Sequence, residues 1–130
     1  LLYRSRSSVK GNTVLKQLKF GIASVAEQRA RSLAIAAGTL QRAEDDPNVW
    51  FPSVSAAMRV LSDENMALLK YIREERPESV SKLALALGKQ PPNVSRSLHT
   101  MEQFGLVRMV KHGRVVKPEA LAERVLVAFA

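Results

Sequence analysis

The chain has 130 residues, 46% of them hydrophobic and 25% charged, which suits one soluble globular domain with a single core. It contains no cysteine, so a disulfide framework and a thiolate zinc site are both excluded, and we expect neither a metal nor a cofactor. No apolar run approaches the roughly 20 residues that cross a bilayer, so we expect a cytoplasmic protein without a membrane partner.

The net charge of +8 is concentrated in two short segments. Residues 1–20 hold five basic residues and no acidic ones, and residues 108–117 hold four basic residues and no acidic ones. This distribution predicts an anionic partner. We interpret residues 1–12, which are rich in Arg and Ser, as a basic disordered arm. An organelle transit peptide has the same composition and is the alternative interpretation.

The first predicted elements are a strand and a helix. Apolar residues alternate over residues 13–20, which predicts a strand that Gly21 ends. Ser24 and Glu27 have the spacing of a capping box, in which each side chain binds a backbone amide at the start of a helix. The helix is predicted to run from there to about Ala43.

One face of this helix carries a narrow seam of mostly small apolar side chains, at spacings of four, three, four and three. The seam residues are Ala26, Ala30, Leu33, Ala37 and Leu40. Small side chains let two helices approach closely, so the seam packs either on the chain's own domain or on a second copy of the chain. We favour the second copy and therefore expect a homodimer.

A short apolar segment and a short helix follow the acidic turn after the first helix. Trp50 and Phe51 are predicted to lie in the core, with stacking on a ligand as the alternative. Ser53 is predicted to cap a helix that runs through Leu61. The residues predicted on the buried side of that helix are Val54, Ala57, Met58 and Leu61.

Capping and stop signals then predict three helices. Ser62 caps the first, over residues 63–76, before a proline. Ser79 caps the second, and Gly88 ends it with a residue that readily adopts a left-handed conformation. The third starts at the doubled prolines 91–92, where a missing amide costs nothing. The residues predicted to be buried are Val80, Leu83, Ala84 and Leu87 on the second helix, and Val94, Leu98 and Met101 on the third.

A basic hairpin is predicted next, because RMVKHGRVVK alternates about a two-residue turn at 112–113. This register sets Lys111 opposite Arg114 and Arg108 opposite Lys117. Like charges in such positions destabilise a hairpin unless a phosphate backbone supplies the counter-charge. Residues 118–123 are then predicted to form one helical turn, and residues 124–129 a buried strand that pairs with the amino-terminal strand.

Two short helices, a tight turn and a basic hairpin are typical of a winged helix-turn-helix, whose second helix enters the major groove of DNA. No acidic residue occurs between Lys89 and Thr100. A helix face that is merely solvated usually mixes Glu with Lys, so we favour groove contact over solvation. The residues predicted to contact DNA are Lys89, Gln90, Asn93, Ser95, Arg96, Ser97, His99, Thr100, Arg108, Lys111, His112, Arg114 and Lys117.

The sequence therefore predicts a mainly α fold with small β elements. Its predicted parts are the arm 1–12, a strand–helix extension 13–61, a winged helix-turn-helix core 62–117, and a closing turn and strand 118–130. The extension and the closing strand are expected to form the dimer interface.

The segment SVSKLALALGKQPPNVSRSLHTMEQFGLV resembles the winged-helix core of bacterial and archaeal regulators of the MarR and ArsR type, over residues 62–117. The resemblance implies backbone contacts from the hairpin bases and groove contacts from Gln90, Asn93, Ser95, Arg96 and Ser97. The whole chain is similar to short predicted regulators, some of which are described as antitoxins. It departs from them in its basic leader and its doubled prolines, and it lacks the metal-binding Cys or His clusters of many ArsR-type sensors.

These observations predict a transcriptional regulator that binds double-stranded DNA sequence-specifically as a homodimer. The alternative is an antitoxin that covers a toxin protein and autoregulates its operon, with the basic leader and the Ala-rich helix as its binding arm. RNA or membrane binding is a third alternative. We do not expect an enzyme, because the two histidines, His99 and His112, both fall in the predicted DNA surface and no catalytic or phosphate-cradling motif is present.

Overall fold

A computed structural model describes residues 9–10, 13–14 and 16–129 of the chain. This part is a mixed α/β fold of five helices and seven strands. The elements are β1 (Val9–Lys10), β2 (Thr13–Val14), β3 (Lys16–Ile22), α1 (Val25–Ala36), β4 (Val49–Phe51), α2 (Val54–Val60), α3 (Asp63–Glu75), α4 (Val80–Leu87), α5 (Pro91–Gln103), β5 (Val107–His112), β6 (Val115–Ala120) and β7 (Ala122–Phe129). Residues 1–8 and 11–12 of the predicted arm lie outside the described residues, and the arm's residues 9–10 pair with β2.

A three-stranded parallel sheet joins the two ends of the described chain. Strand β3 lies in the middle, with β4 on one side and β7 on the other. Phe20 is opposite both Val49 of β4 and Val127 of β7. The predicted pairing of the first strand with the last is confirmed. The predicted strand end at Gly21 is wrong, because β3 continues through Gly21 to Ile22.

Gly21 lies within β3 at a place where a large ring packs directly against the backbone. A Cβ atom at this position would come within 2.6 Å of the Trp50 ring and 2.7 Å of Pro47 Cγ. Glycine therefore permits the close packing of β4 on β3 here, where the sequence pattern predicts a stop signal.

The sheet and the last helix share one core. Leu18, Phe20 and Ile22 are buried on one face of β3. The Phe20 ring lies 5.0 Å from the Phe51 ring, and the Phe51 ring lies 5.0 Å from the Phe104 ring at the end of α5. These ring contacts fix the position of α5 relative to the sheet.

Helix α1 starts where predicted and ends earlier. The Ser24 hydroxyl accepts a hydrogen bond from the Glu27 amide at 3.1 Å, and the Glu27 carboxylate accepts one from the Ser24 amide at 2.7 Å. The predicted end near Ala43 is wrong, since the helix ends at Ala36 and Gly38 adopts a φ of 81°. A left-handed glycine at that place turns the chain out of the helix.

Helix α1 has no buried residue and stands outside the core. Arg31 joins it to the rest of the chain, because its guanidinium pairs with Asp46 and lies 5.4 Å from the centre of the Trp50 ring. Trp50 is half-buried, whereas Phe51 lies in the core as predicted.

Helix α2 has the predicted cap and a different buried side. The Ser53 hydroxyl accepts a hydrogen bond from the Ala56 amide at 3.1 Å. Ala57 is buried as predicted, but Val54 and Met58 are exposed and Val60 takes their place in the core. The correction arises because this short helix contacts β3 and β4 through one narrow stripe.

The three predicted helices after Ser62 are confirmed. Serine hydroxyls cap α3 and α4, and each helix ends at a left-handed residue, Arg76 for α3 and Gly88 for α4. Helix α5 begins at Pro91, as its doubled prolines predict. Among the predicted core residues of α4 and α5, Leu83, Ala84, Val94, Leu98 and Met101 are buried, and Val80 and Leu87 are partly buried against the same core.

Residues 118–129 correct two predictions, the helical turn over 118–123 and the burial of the last strand. Residues 118–120 complete β6, and β7 begins at Ala122, so the predicted helical turn over 118–123 is wrong. Pairing of the two hairpin strands from end to end satisfies their backbone groups without a helical turn. Strand β7 is mostly half-buried, and Leu126 and Phe129 are exposed because β7 is an edge strand of the sheet.

Replacing Gly21 with Ala is expected to lower the free energy of unfolding by about 1–3 kcal/mol, since the added methyl group overpacks the site beneath Trp50. Elsewhere in a strand the same change would be neutral or stabilising. Urea denaturation measures the difference. Gln17→Ala, at an exposed position of the same strand, is the control and should stay within about 0.5 kcal/mol of the parent. A Gly21→Ala protein as stable as this control would contradict the close packing.

Candidate nucleic-acid interface

Helices α4 and α5 meet at a tight turn and bury their facing sides. Gly88 ends α4, and Gln90 is the residue before the first turn of α5. Val94 and Leu98 of α5 are buried. Because one side of α5 is fixed in the core, its opposite side is held in solvent.

Helix α5 carries six of the thirteen residues predicted to contact DNA, and three of the six are exposed on its solvent side. Asn93, Arg96 and His99 are exposed. Helical spacing predicts His99 at the margin of this face, and the structure puts it among the exposed residues. The remaining candidates of α5 are half-buried, namely Ser95, Ser97 and Thr100. The Thr100 hydroxyl donates to the Arg96 carbonyl at 3.3 Å, so its proton is used within the helix.

Arg96 and Asn93 contact each other one turn apart. The Arg96 guanidinium donates a hydrogen bond from Nη1 to Asn93 Oδ1 at 3.1 Å. Because the Asn93 amide is neutral, this contact does not offset the positive charge of the guanidinium.

The start of α5 offers few backbone donors. Pro91 and Pro92 have no amide hydrogen. The amides of Asn93 and Val94 both donate to the Gln90 carbonyl, at 3.0 and 3.1 Å. An anion at this end of the helix would therefore be bound by side chains. Gln90 is exposed and its side chain makes no capping hydrogen bond.

Lys89, at the turn before α5, is paired with an acid. Its ammonium group lies 2.7 Å from the Glu64 carboxylate at the start of α3. The pair borders a groove of about 270 Å³ that Gln90, Asn93 and Ser97 also line. Glu64 therefore offsets one of the positive charges predicted to contact DNA.

The hairpin turn lies one residue later than predicted. His112 is opposite Val115, so Gly113 and Arg114 form the turn, and Gly113 has a φ of 63°. A shift of the turn by one residue moves every cross-strand partner by two. Lys111 is opposite Val116 rather than Arg114.

The predicted pairs of like charges are therefore wrong. Arg108 is opposite Glu119, and its guanidinium lies 2.5 Å from the Glu119 carboxylate. Lys117 is opposite Val110. Because the predicted like-charge pairs do not form, repulsion between them is no longer an argument that the hairpin binds a phosphate backbone. Lys111, His112 and Arg114 are exposed at or near its tip, and Lys117 is half-buried.

The hairpin and the exposed side of α5 share a groove. Its volume is about 500 Å³, and its walls include Ser95 and His99 from α5 and Lys111 and Val116 from the hairpin. Glu102 of α5 also lines the groove, and its carboxylate accepts a hydrogen bond from the Met109 amide at 2.9 Å. The basic hairpin thus lies beside the exposed side of α5, and Glu102 is, among the described residues, the one acidic residue that lines the groove between them.

Glu78 borders the hairpin on the side of α4. A hydrogen bond from Lys82, and the positive charge of Lys82, hold the pKa of Glu78 below its ordinary value. Glu78 and Lys82 line a further groove with His112 and Lys117. Acidic side chains therefore border the basic surface at Glu78, as they do at Glu64.

Three features of the site were missed by sequence reasoning. They are the Glu64–Lys89 pair, the Arg108–Glu119 pair and the Asn93–Arg96 contact. The spacing of three residues signals the last of these, because such residues lie side by side on a helix. The other two join distant residues, and no local pattern in the sequence marks them.

Within the described residues, no group of His, Asp and Glu side chains could hold a metal ion. The helices of the same part of the chain are too short or too polar to cross a membrane.

The comparisons with known proteins give one family. The model of the HVO_A0114 family matches residues 60–127, which is more than half of the chain. The match starts at the last residue of α2 and ends within β7, so it includes α5 and the hairpin. A search of curated proteins found no match.

Proposed function

This chain belongs to the HVO_A0114 family, and we propose that it is a cytoplasmic, homodimeric transcriptional regulator that binds double-stranded DNA sequence-specifically. In this proposal α4 and α5 form a helix-turn-helix, and the β5–β6 hairpin is the wing. One observation carries the proposal: the exposed side of α5, which has no acidic residue before Glu102, lies beside the basic hairpin across a shared groove.

The shape and chemistry of α5 fit the major groove of B-DNA. The groove is about 12 Å wide and admits one α-helix. Asn93, Arg96 and His99 supply amide, guanidinium and imidazole groups, which can bind base edges or phosphates. A-form RNA has a narrow major groove that side chains cannot read, so the proposal is specific to DNA duplexes.

The hairpin tip fits the phosphate backbone next to the groove. Lys111 and Arg114 are exposed there, and Lys117 lies further along β6. Each phosphate that a basic side chain neutralises releases counterions, which makes binding depend on salt. Arg108 is a weaker candidate for this role than the sequence indicates, because Glu119 already offsets its charge.

The triple replacement Lys111→Ala, Arg114→Ala and Lys117→Ala is expected to weaken binding to all duplexes alike. The slope of log K against log salt should flatten by about 0.9 for each phosphate that is no longer neutralised. Fluorescence anisotropy at several salt concentrations measures the slope. The control triple, Arg42→Ala, Arg59→Ala and Lys70→Ala, removes three exposed charges outside α1, α5 and the hairpin. Equal slopes for the two triples would remove the hairpin from the interface.

Glu64→Gln is expected to tighten DNA binding, because Lys89 loses its carboxylate partner and becomes available to a phosphate. The salt slope should steepen by up to about 0.9, the value for one neutralised phosphate. Glu75→Gln removes the same charge at the other end of α3 and is the control. If both variants bind alike, the gain reflects net charge alone and Lys89 does not contact DNA.

Helix α1 is the proposed dimer contact. A helix of this length is marginally stable alone in water, yet no residue of α1 is buried in the single chain. Leu33 is 64% exposed and Val25 is 62% exposed. A second copy is the occupant we propose, because helix-turn-helix proteins bind two half-sites through two-fold dimers. The predicted seam extends past the helix, since Ala37 is its cap and Leu40 lies in the following loop; both are exposed, as are Ala26 and Ala30.

Leu33→Glu is expected to convert the dimer to a monomer, because it sets charges against each other in the centre of the contact. Ser32→Glu places the same charge at an exposed position away from the seam and should leave the dimer intact. Sedimentation velocity distinguishes the two forms. A parent protein that is monomeric at tens of micromolar, or a Leu33→Glu protein that stays dimeric, would contradict the proposed contact. The monomeric parent would leave α1 free for another protein, as the antitoxin alternative requires.

A further inference from the structure

Asn93 and Arg96 form a pre-assembled unit on the exposed side of α5. The Arg96 guanidinium donates to the Asn93 side chain at 3.1 Å. A guanidinium has five N–H donors and no acceptor. The Asn93 atom that faces it must therefore be the carbonyl oxygen, and the Asn93 NH₂ group must point away from the pair.

This orientation restricts what Asn93 can bind. Asparagine reads adenine with two bonds, in which its oxygen accepts from N6 and its NH₂ group donates to N7. In the observed pair one of the two lone pairs of this oxygen accepts from Arg96, so an adenine would have to share the oxygen with the guanidinium. The groups of the pair that remain free are therefore mainly donors, namely the other N–H groups of Arg96 and the NH₂ group of Asn93.

Arg96 keeps both the donors and the charge that reading a base requires. Most of its five donors stay available after one is used for Asn93. Arg31 and Arg108 are paired with carboxylates, whereas the hydrogen-bond partner of Arg96 is a neutral amide. The amide restrains the long side chain without neutralising it, which reduces the entropy cost of binding.

We propose that Asn93 and Arg96 act as one guanine-reading unit, in which Arg96 donates to guanine O6 and N7 and Asn93 is the positioning residue that holds Arg96. Guanine is the base whose major-groove edge presents two acceptors side by side. The inference rests on the proposed function and adds to it the identity of the base under α5.

The experiment starts from a duplex selected with the full chain from random DNA. Each guanine of the site is replaced in turn by 7-deazaguanine, which lacks the N7 acceptor but pairs normally, and each adenine by 7-deazaadenine. In the parent protein one 7-deazaguanine per half-site should weaken binding by at least about fivefold. A 7-deazaadenine at any adenine next to that guanine should not weaken binding to this extent. A complete bidentate contact discriminates by about 5- to 150-fold.

Variants test whether the two residues act together. Arg96→Lys keeps the charge and loses the planar fork of donors, so it should keep the salt slope and reduce the 7-deazaguanine penalty. Asn93→Ala should reduce the same penalty although Arg96 is present. A structural role for Asn93 would weaken binding to all duplexes alike and leave the penalty unchanged. Ser97→Ala, on the half-buried flank of α5, is the control and should keep the penalty. Thermal denaturation checks that each variant is folded.

The outcomes separate this inference from the proposed function. A 7-deazaadenine penalty that disappears in Asn93→Ala would overturn the guanine unit. A 7-deazaguanine penalty that is unchanged in Asn93→Ala would overturn it as well. A parent protein that selects a site insensitive to 7-deazaguanine would overturn only this inference. A parent protein that selects no duplex would overturn both.

Discussion

The burial of one side of α5 is the constraint on which the rest of the structure depends. Leu98 and Met101 are fully buried, and the Phe104 ring at the end of the helix packs on Phe51 of the sheet. Rotating α5 about its axis would expose these side chains at a cost of several kcal/mol. The exposed side therefore has one fixed composition. The hairpin is fixed beside it, because β5 follows α5 directly and Val107 is buried in the same core.

The helices from Ser62 onward could be predicted from the sequence because their signals are local. A serine hydroxyl, a left-handed residue and a proline each act within one turn of the chain, so Ser79 and Gly88 mark the ends of α4 without reference to the rest of the fold. The amino-terminal part was predicted less well for the opposite reason. Whether Gly21 ends a strand or lies under Trp50 depends on a contact with a strand about thirty residues away.

The candidate site divides in the same way. Its residues could be found from composition and helical spacing. Which of its basic side chains are paired with a carboxylate could not be found in this way. A displacement of the hairpin turn by one residue replaced two predicted repulsive pairs with one attractive pair, Arg108 with Glu119. Glu64 and Lys89 lie 25 residues apart, and only the tertiary fold brings the start of α3 to the turn before α5. The proposed interface is therefore less positive than a count of its basic residues indicates.

The sheet also sets the order in which the chain can fold. Strand β3 pairs with β7 more than a hundred residues later, and this pairing closes the largest loop in the described chain. During synthesis Leu18 and Phe20 must wait for Val125 and Val127, while α4 and α5 pack on each other over a short separation. The segment with the proposed DNA contacts can thus become ordered while the first strand still lacks its last neighbour. A nascent chain would expose an apolar edge of β3 until β7 is made.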